Sequence, residues 1–184
     1  MNDGASIEVG TVGNEGIIGL SVFLGGESGP QEALPQIAGD AWRMRAEVFR
    51  REVQHLPVVQ KLLQTYTLAV LNTLSQSMAC NHSHPVEERT CRWLLMTQDR
   101  IGRDRFRLTQ EFPSLMVGVR RPTVRMIAGT LQKSGLITYR RGETTVVDRS
   151  GLERASCECC GFIRQQFDAV SGNGAAEVAC HLMS

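Results

Sequence analysis

Apolar residues recur at helical spacing through the middle of the chain. Residues 57–80 contain no glycine, no proline after Pro57 and no charged residue after Lys61. Proline is favoured at the first position of a helix, so Pro57 suits a helix start. One apolar stripe of this segment repeats every three or four residues and comprises Val59, Leu63, Tyr66, Val70 and Thr73. The pattern predicts a long helix that is apolar on more than one side.

Such a helix must be covered on more than one side, and two interpretations are open. In the first, residues 57–80 form a core helix of their own domain. In the second, the stripe also packs on the same stripe of a second copy, as in a coiled coil. The stripe is then the interface of a homodimer.

Shorter elements flank the long helix. Residues 46–55 are predicted to form a short helix, and residues 85–102 an amphipathic one that Gly102 ends. Residues 1–44 are rich in glycine and contain the weakly patterned stretches IEVGTVG, GIIGLSVFLGG and LPQIAGDAWRMR. These stretches predict short strands joined by tight turns, as in part of a β-roll.

Two helices joined by a tight turn are predicted after residue 107. Thr109 is a good N-cap for the first helix, and Gly118 interrupts the run that follows. The second helix is predicted over 120–133, where Pro122 is tolerated because it lies in the first turn. Its inward-facing residues are Val124, Ile127, Ala128 and Leu131.

A β-hairpin follows the second helix. Gly135 ends the helix as a C-cap, and strands over 137–140 and 144–147 flank a turn at Gly142. Two helices, a tight turn between them and a hairpin are typical of a winged helix-turn-helix. The second helix of that motif enters the major groove of DNA, with its N-terminal residues nearest the base edges.

Basic residues are concentrated in this module. Residues 100–149 carry 11 Arg or Lys and 4 Asp or Glu, whereas residues 1–99 carry 7 and 11, and residues 150–184 carry 2 and 4. The net charge of +1 for the whole chain hides this asymmetry. A basic module on an otherwise mildly acidic chain indicates a polyanionic partner, although a solvated basic face would give the same count.

The motif predicts which side chains contact DNA. Residues at the start of the second helix are expected at base edges, and residues at the hairpin tip at the sugar-phosphate backbone. Arginine suits both roles, because its guanidinium forms paired hydrogen bonds with guanine or phosphate. The predicted DNA-binding residues are Thr109, Gln110, Arg120, Arg121, Thr123, Arg125, Arg140 and Arg141.

The stretch VGVRRPTVRMIAGTLQKSGLI resembles the recognition element of Crp/Fnr-type bacterial transcription regulators. The shared features are a glycine turn, an exposed arginine, Thr-Val and a helix that ends near Leu-Ile. In this chain they are Gly118, Arg121, Thr123, Val124, Leu136 and Ile137. By this resemblance Arg121 matches a base-contacting arginine and Thr109 a phosphate-contacting position. Pro122 stands where the cyclic-AMP receptor has a base-contacting glutamate, so a different operator is expected.

The resemblance extends over nearly the whole chain and implies an α+β fold. It predicts a partial cyclic-nucleotide-binding-like β-roll over 1–56, a long dimerisation helix and hinge over 57–84, a winged helix-turn-helix domain over 85–168 and a tail over 169–184. It also implies a homodimer on a two-fold-related site in double-stranded DNA, with RNA polymerase as a candidate further partner. Too few strands are predicted to close a β-roll, so a truncated N-terminal sensor is expected.

The predicted sensor differs from the cyclic-AMP-binding members of the family. Those members hold the ribose and phosphate with a Gly-Glu pair and an Arg-Ser or Arg-Thr pair. In this chain Gly19 and Leu20 stand at the position of the Gly-Glu pair, and no arginine stands at the position of the Arg-Ser or Arg-Thr pair. A cyclic phosphate without a cationic partner would be poorly held. The N-terminal cysteine cluster of oxygen-sensing members is also missing, so no cofactor is predicted and the effector is unknown.

The sequence shows neither a membrane-spanning segment nor a secretion signal. No stretch approaches the roughly 20 apolar residues of a membrane span, and the N-terminus has neither a basic nor an apolar signal region. With 42% hydrophobic and 21% charged residues, the chain has the composition of an ordinary globular protein. The expectation is a cytoplasmic protein with no membrane partner.

Two groups of metal-ligand residues offer a rival interpretation. The stretch CNHSH contains Cys80, His82 and His84. The stretch CECC contains Cys157, Cys159 and Cys160, the first and last of which have C-x-x-C spacing. Such residues bind zinc or iron in other proteins. A polar hinge and packing thiols are the favoured interpretations, so no metal site is predicted.

The main prediction is therefore a sequence-specific DNA-binding transcription regulator that is not an enzyme. No nucleophile–base constellation, P-loop or H-E-x-x-H motif supports catalysis. A Cys/His metal- or redox-binding protein, and a dimeric interaction module without DNA binding, are the alternatives.

Overall fold

The computed structural model describes residues 8–29, 32–107 and 116–182, with side chains up to residue 172. The helices are α1 (Leu20–Phe23), α2 (Ala46–Gln54), α3 (Pro57–Ser83), α4 (Val86–Ile101), α5 (Arg121–Lys133), α6 (Arg149–Ala155) and α7 (Cys159–Leu182). The strands are β1 (Arg105–Arg107), β2 (Ile137–Arg140) and β3 (Glu143–Val146). Helices combined with one small sheet confirm the predicted α+β class.

The N-terminal portion contains no strand within residues 8–29 and 32–56. The strands predicted for a partial β-roll are therefore wrong in these ranges, where α1 and α2 are the regular elements. The apolar residues Ile17 and Leu20 pack against α3 beside Tyr66 instead of lying in a sheet. Gly16 permits this approach, because a Cβ there would collide with the Tyr66 hydroxyl oxygen.

Helix α3 begins at Pro57, as predicted, and runs three residues beyond the predicted end at Cys80. His84 follows in an extended conformation, and Pro85 precedes α4. A residue before proline is disfavoured in the helical region, which places the break at His84. The hinge predicted at the end of segment 57–84 is therefore short, because the helix continues to Ser83.

The α3 stripe predicted as a dimer seam is largely covered by the same chain. Helices α3 and α7 pack along each other, and Tyr66 lies between Ile17, Phe167 and Val170. Leu63, Tyr66 and Thr73 are buried, and Val59 and Val70 are half-buried. Intramolecular packing removes Leu63, Tyr66 and Thr73 from solvent, which agrees with the interpretation of residues 57–80 as a core helix of their own domain. The dimer interface on this stripe stays a prediction.

The winged module is built on α4. The sheet has the order β1-β3-β2 with antiparallel pairing throughout, and β1 was not predicted. Helices and strands share one core, whose fully or nearly fully buried members include Leu94, Leu95, Phe106, Ile127, Leu131, Ile137, Val146 and Leu152. Phe106 is the single buried residue of β1, so this short strand is fixed by one apolar anchor and its pairing with β3.

Charged side chains tie α4, α6 and α7 together. Arg149 of α6 and Arg164 of α7 both contact Asp99 of α4, at 2.7 and 3.4 Å. Both arginines also contact Glu153. A network of partly buried pairs holds geometry better than an isolated exposed pair does. Among the described residues, no helix is long and apolar enough to cross a membrane.

Candidate nucleic-acid interface

A glycine turn positions the start of α5. Val117 is buried, and Gly118 adopts φ of 67°, in the left-handed region that favours glycine. Arg120 is the extended N-cap, and its carbonyl oxygen accepts from the amides of Thr123 and Val124. Pro122 lies in the first turn, where its missing N–H costs no helical hydrogen bond. The predicted helix and its turn are thus confirmed.

Helix α5 separates its apolar and basic residues onto different faces. Ile127 and Leu131 are buried in the module core, whereas Arg121 and Arg125 are exposed and lie one turn apart. Arg120 is also exposed, while Thr123 is half-buried. The structure therefore brings three predicted arginines together at the N-terminal end of this helix, and leaves Thr123 less accessible.

The hairpin tip presents two further predicted arginines. Arg140 ends β2, and Arg141 with Gly142 forms a two-residue turn with φ of 52° and 79°. Two positive φ angles are the signature of the turn that matches the twist of a β-hairpin. Arg140 and Arg141 are both exposed, so the turn holds their side chains out from the sheet.

Strand β1 adds two exposed arginines that were not predicted as contacts. Arg107 and Arg140 both pair in register with Glu143, so the three residues lie side by side at the wing end of the sheet. Arg105 forms an ion pair with the same carboxylate. The alternation Arg-Phe-Arg, with a buried Phe106, is the sequence signal that could have identified this strand.

The electrostatics of the wing are dominated by its arginines. The hydrogen bond and charge of Arg105 hold the pKa of Glu143 below its usual range, so this carboxylate is ionised at neutral pH. One acidic residue then lies among Arg105, Arg107, Arg140 and Arg141. This end of the sheet is strongly positive, as a phosphate-contacting surface requires. Thr109 and Gln110 lie outside the described residues.

These elements define a class of protein module. In chain order α4, β1, α5 and the β2–β3 hairpin, with exposed arginines at the start of α5 and on the wing, match the described part of a winged helix-turn-helix. The start of the first helix of the motif, predicted at Thr109, lies outside the described residues. Residues 88–155 match the model of the Crp-like helix-turn-helix domain family. The resemblance carried by the glycine turn and the arginines is confirmed for this domain.

Solved structures of bacterial proteins are similar to this chain. FixK2 from Bradyrhizobium japonicum is 14% identical and shares the fold, with a TM-score of 0.57 over 62% of this chain and 60% of that protein. TTHB099, a transcriptional regulator of the CRP family from Thermus thermophilus, is 20% identical, with a TM-score of 0.41 over 61% of this chain and 55% of that protein. The chain therefore spans less than two thirds of the length of either. A comparison with curated protein sequences gives no significant match.

Proposed function

We propose that this protein is a sequence-specific DNA-binding transcription regulator that acts as a homodimer in the cytoplasm. The observation that carries the proposal is the cluster of exposed arginines at the N-terminal end of α5, the element that enters the major groove in this class of domain. Arg121 lies in the first turn, where a side chain reaches base edges, and its guanidinium suits the paired acceptors of guanine.

The wing supplies sequence-independent contacts in this proposal. Arg107, Arg140 and Arg141 are exposed around the single carboxylate of Glu143. Each arginine that neutralises a phosphate releases a counterion and adds affinity that falls as salt rises. The wing therefore positions the domain, and α5 selects the sequence.

The proposed dimer uses a different face of α3 from the predicted one. Leu68, Leu71 and Met78 are 58%, 56% and 70% exposed, and their spacing of three and seven residues places them on one helical stripe. A long uncharged stripe of large apolar side chains costs free energy in water. A second copy of α3 in a coiled-coil-like seam would bury it and place two recognition helices on a two-fold-related site.

Substitution of Arg121 tests the proposed sequence recognition. Arg121→Ala should weaken binding to the preferred site by about 1–3 kcal/mol and relax base preference at one position in each half-site, because a paired hydrogen bond is lost. Fluorescence anisotropy over a panel of single-base site variants measures both effects. Lys133→Ala is the matched control, since Lys133 is an exposed basic residue at the other end of the same helix.

The two substitutions are expected to differ. Lys133→Ala should leave base preference unchanged and lower affinity by less than about 1 kcal/mol, as for an exposed charge away from the groove. If Arg121→Ala changes neither affinity nor base preference, α5 does not read the sequence through this residue, and the proposed groove placement is wrong.

A further inference from the structure

Four metal-ligand side chains from two distant segments converge at one point. They are Cys80 in the last turn of α3, His84 directly after that helix, Cys157 between α6 and α7, and Cys159 as the first residue of α7. One potential ligand atom from each lies within 4.8 Å of the other three. Cys80 and Cys157 are 77 residues apart in the sequence, so tertiary structure alone assembles the group.

The distances fit tetrahedral coordination of one ion. With metal–sulfur bonds near 2.3 Å and metal–nitrogen bonds near 2.0 Å, tetrahedral geometry places two sulfurs about 3.8 Å apart, and a sulfur and a nitrogen about 3.6 Å apart. The Cys80 and Cys157 sulfurs are separated by 3.5 Å. The Cys159 sulfur and His84 Nδ1 are separated by 3.7 Å. Donors this close match a single ion, whereas the cysteines of an iron–sulfur cluster bind different iron atoms.

The surrounding residues support ligation as well. With His84 Nδ1 facing the sulfurs, its Nε2 lies 3.2 Å from a carboxylate oxygen of Glu158. A histidine that binds a metal commonly donates its other ring N–H to a carboxylate, which fixes the tautomer. Gln76 donates from Nε2 to the Cys159 sulfur at 3.0 Å, a contact that stabilises a thiolate.

Charge around the group favours an anionic complex. Three thiolates and one neutral imidazole around a divalent ion carry a net charge of −1. Burial raises the pKa of the Cys80 and Cys157 thiols, and the positive charge of the buried Arg92 partly opposes this effect. Cys159 is also the first residue of α7, where the helix dipole favours negative charge. These groups offset the charge of the complex in an interior where an unpaired charge is costly.

The other described cysteines provide a contrast. Cys91 and Cys160 are also buried, but both pack in the apolar core of the winged module, and neither belongs to the group of four ligands. Cys157 therefore belongs to the same ligand group as Cys159, although its C-x-x-C spacing in the sequence pairs it with Cys160. Simple packing thiols need neither a facing imidazole nor hydrogen-bond donors aimed at sulfur, and Cys159 has both.

We propose that Cys80, His84, Cys157 and Cys159 bind one Zn²⁺ ion in a closed structural site. Zn²⁺ prefers tetrahedral sulfur and nitrogen ligands, and four protein ligands leave no position for a substrate. The site joins the C-terminal end of α3 to the α6–α7 junction, so it fixes the winged domain to the long helix. It stabilises the fold, because the unfolded chain lacks the preformed site.

Metal analysis of the full-length, untagged protein tests this site directly. Protein purified under reducing conditions without chelator should contain about one zinc ion per chain, as measured by inductively coupled plasma mass spectrometry. Replacement of the zinc by Co²⁺ should give the d–d bands of tetrahedral cobalt and a thiolate charge-transfer band in the near ultraviolet. Absence of metal, iron in place of zinc, or a six-coordinate cobalt spectrum would each contradict the proposal.

Variants assign the ligands. Cys80→Ser and Cys159→Ser should each lower zinc content at least several-fold, whereas Cys160→Ser, a change at the adjacent buried cysteine, should retain it. Retention of zinc and of the cobalt charge-transfer band in Cys159→Ser would overturn the assignment. Should the serine variants not fold, the cobalt spectrum of the unmodified protein still decides the coordination.

Removal of the metal from the unmodified protein with a chelator tests the structural role. It should lower Tm by on the order of 10 °C. An unchanged Tm would contradict a structural role.

Discussion

Arg141 is the one non-glycine residue with a positive φ among those that the structure describes. For an L-residue other than Asn or Asp, the left-handed conformation costs roughly 1–2 kcal/mol. Hairpin turns of this type are dominated by Asn-Gly, so Arg-Gly at 141 and 142 is an unfavourable choice for the turn alone. Strain of this kind concentrates at functional positions, which agrees with a DNA contact by Arg141.

Arg141→Asn should therefore separate stability from binding. The substitution should raise the free energy of unfolding by about 0.5–1 kcal/mol, since Asn tolerates the left-handed region. It should weaken binding to all DNA sequences alike. It should also reduce the steepness of the plot of log binding constant against log salt concentration by about one, the value for one lost phosphate contact. Chemical denaturation and salt-titrated binding measure the two effects. A destabilised variant with unchanged DNA affinity would show that the turn and the wing contact are both misassigned.

Glu8 predicts a pH dependence of stability. Burial raises the pKa of its carboxyl group from 4.5 to about 7, and the Gln36 amide and the Arg100 and Arg92 guanidiniums only partly oppose the shift. Because the folded state holds this proton more tightly than the unfolded state does, the free energy of unfolding falls as pH rises from about 4.5 to about 7.

Glu8→Gln removes that titration. The stability of the variant relative to the natural sequence should be higher at pH 8 than at pH 5 by up to about 3 kcal/mol, since one pKa unit corresponds to about 1.4 kcal/mol. Urea unfolding at the two pH values measures the difference. The same relative stability at pH 5 and pH 8 would mean that Glu8 is ionised in the folded protein.

Helix α3 presents two apolar faces with different partners. Its buried face packs on α7 and the N-terminal segment, whereas Leu68, Leu71 and Met78 face solvent. The more regular stripe of the sequence, through Leu63 and Tyr66, fits a dimer seam as well as a core face, and nothing in its pattern identifies α7 as its partner. Periodicity identifies apolar faces, but it does not tell which neighbour covers each face.

Charges on the exposed face should separate the proposed dimer. Leu68→Glu combined with Leu71→Glu places like charges in the seam, and the monomer should keep its fold because neither side chain is buried. Light scattering coupled to size exclusion should show a dimer for the natural sequence and a monomer for the variant. Ile18→Glu, at an exposed apolar residue outside the helix, is the control and should stay dimeric. A dimer that survives the double substitution would exclude this face.

Helices whose ends are marked by a nearby proline or glycine were predictable from the sequence. Segments whose structure depends on contacts with distant residues were not. Pro57, Gly102, Gly118 and Gly135 mark helix boundaries that the structure places within a few residues of the prediction. The wing followed from its glycine turn. The N-terminal segment instead depends on covering α3, and β1 depends on pairing with β3, so neither has a strong local pattern.

The candidate sites follow the same division. Arg120, Arg121, Arg140 and Arg141 lie where the motif predicts, because the helix start and the hairpin tip are set by nearby residues. The group of Cys80, His84, Cys157 and Cys159 was not predicted. Its two halves come from distant segments of the chain, and the spacing within each half, four residues or two, does not specify a site.

At the scale of the whole molecule, α7 returns the chain from the winged domain to the long helix. The contacts of Arg149 and Arg164 with Asp99, together with the packing of α7 on α3, hold the domain at a defined place along that helix. In a dimer formed through α3, this arrangement sets the separation of the two α5 helices. In the proposed dimer, the spacing of DNA half-sites would therefore depend on the whole fold and not on the recognition helix alone.

Selection of bound sequences from a random pool of double-stranded DNA tests the central claim most directly. The account predicts enrichment of one sequence composed of two half-sites related by two-fold symmetry, with their centres one helical turn, or a multiple of about 10 base pairs, apart. The same selection with Arg121→Ala should recover half-sites with relaxed preference at one position. Recovery of no preferred sequence, at salt concentrations low enough for non-specific binding to be detected, would contradict the proposal that this protein reads DNA.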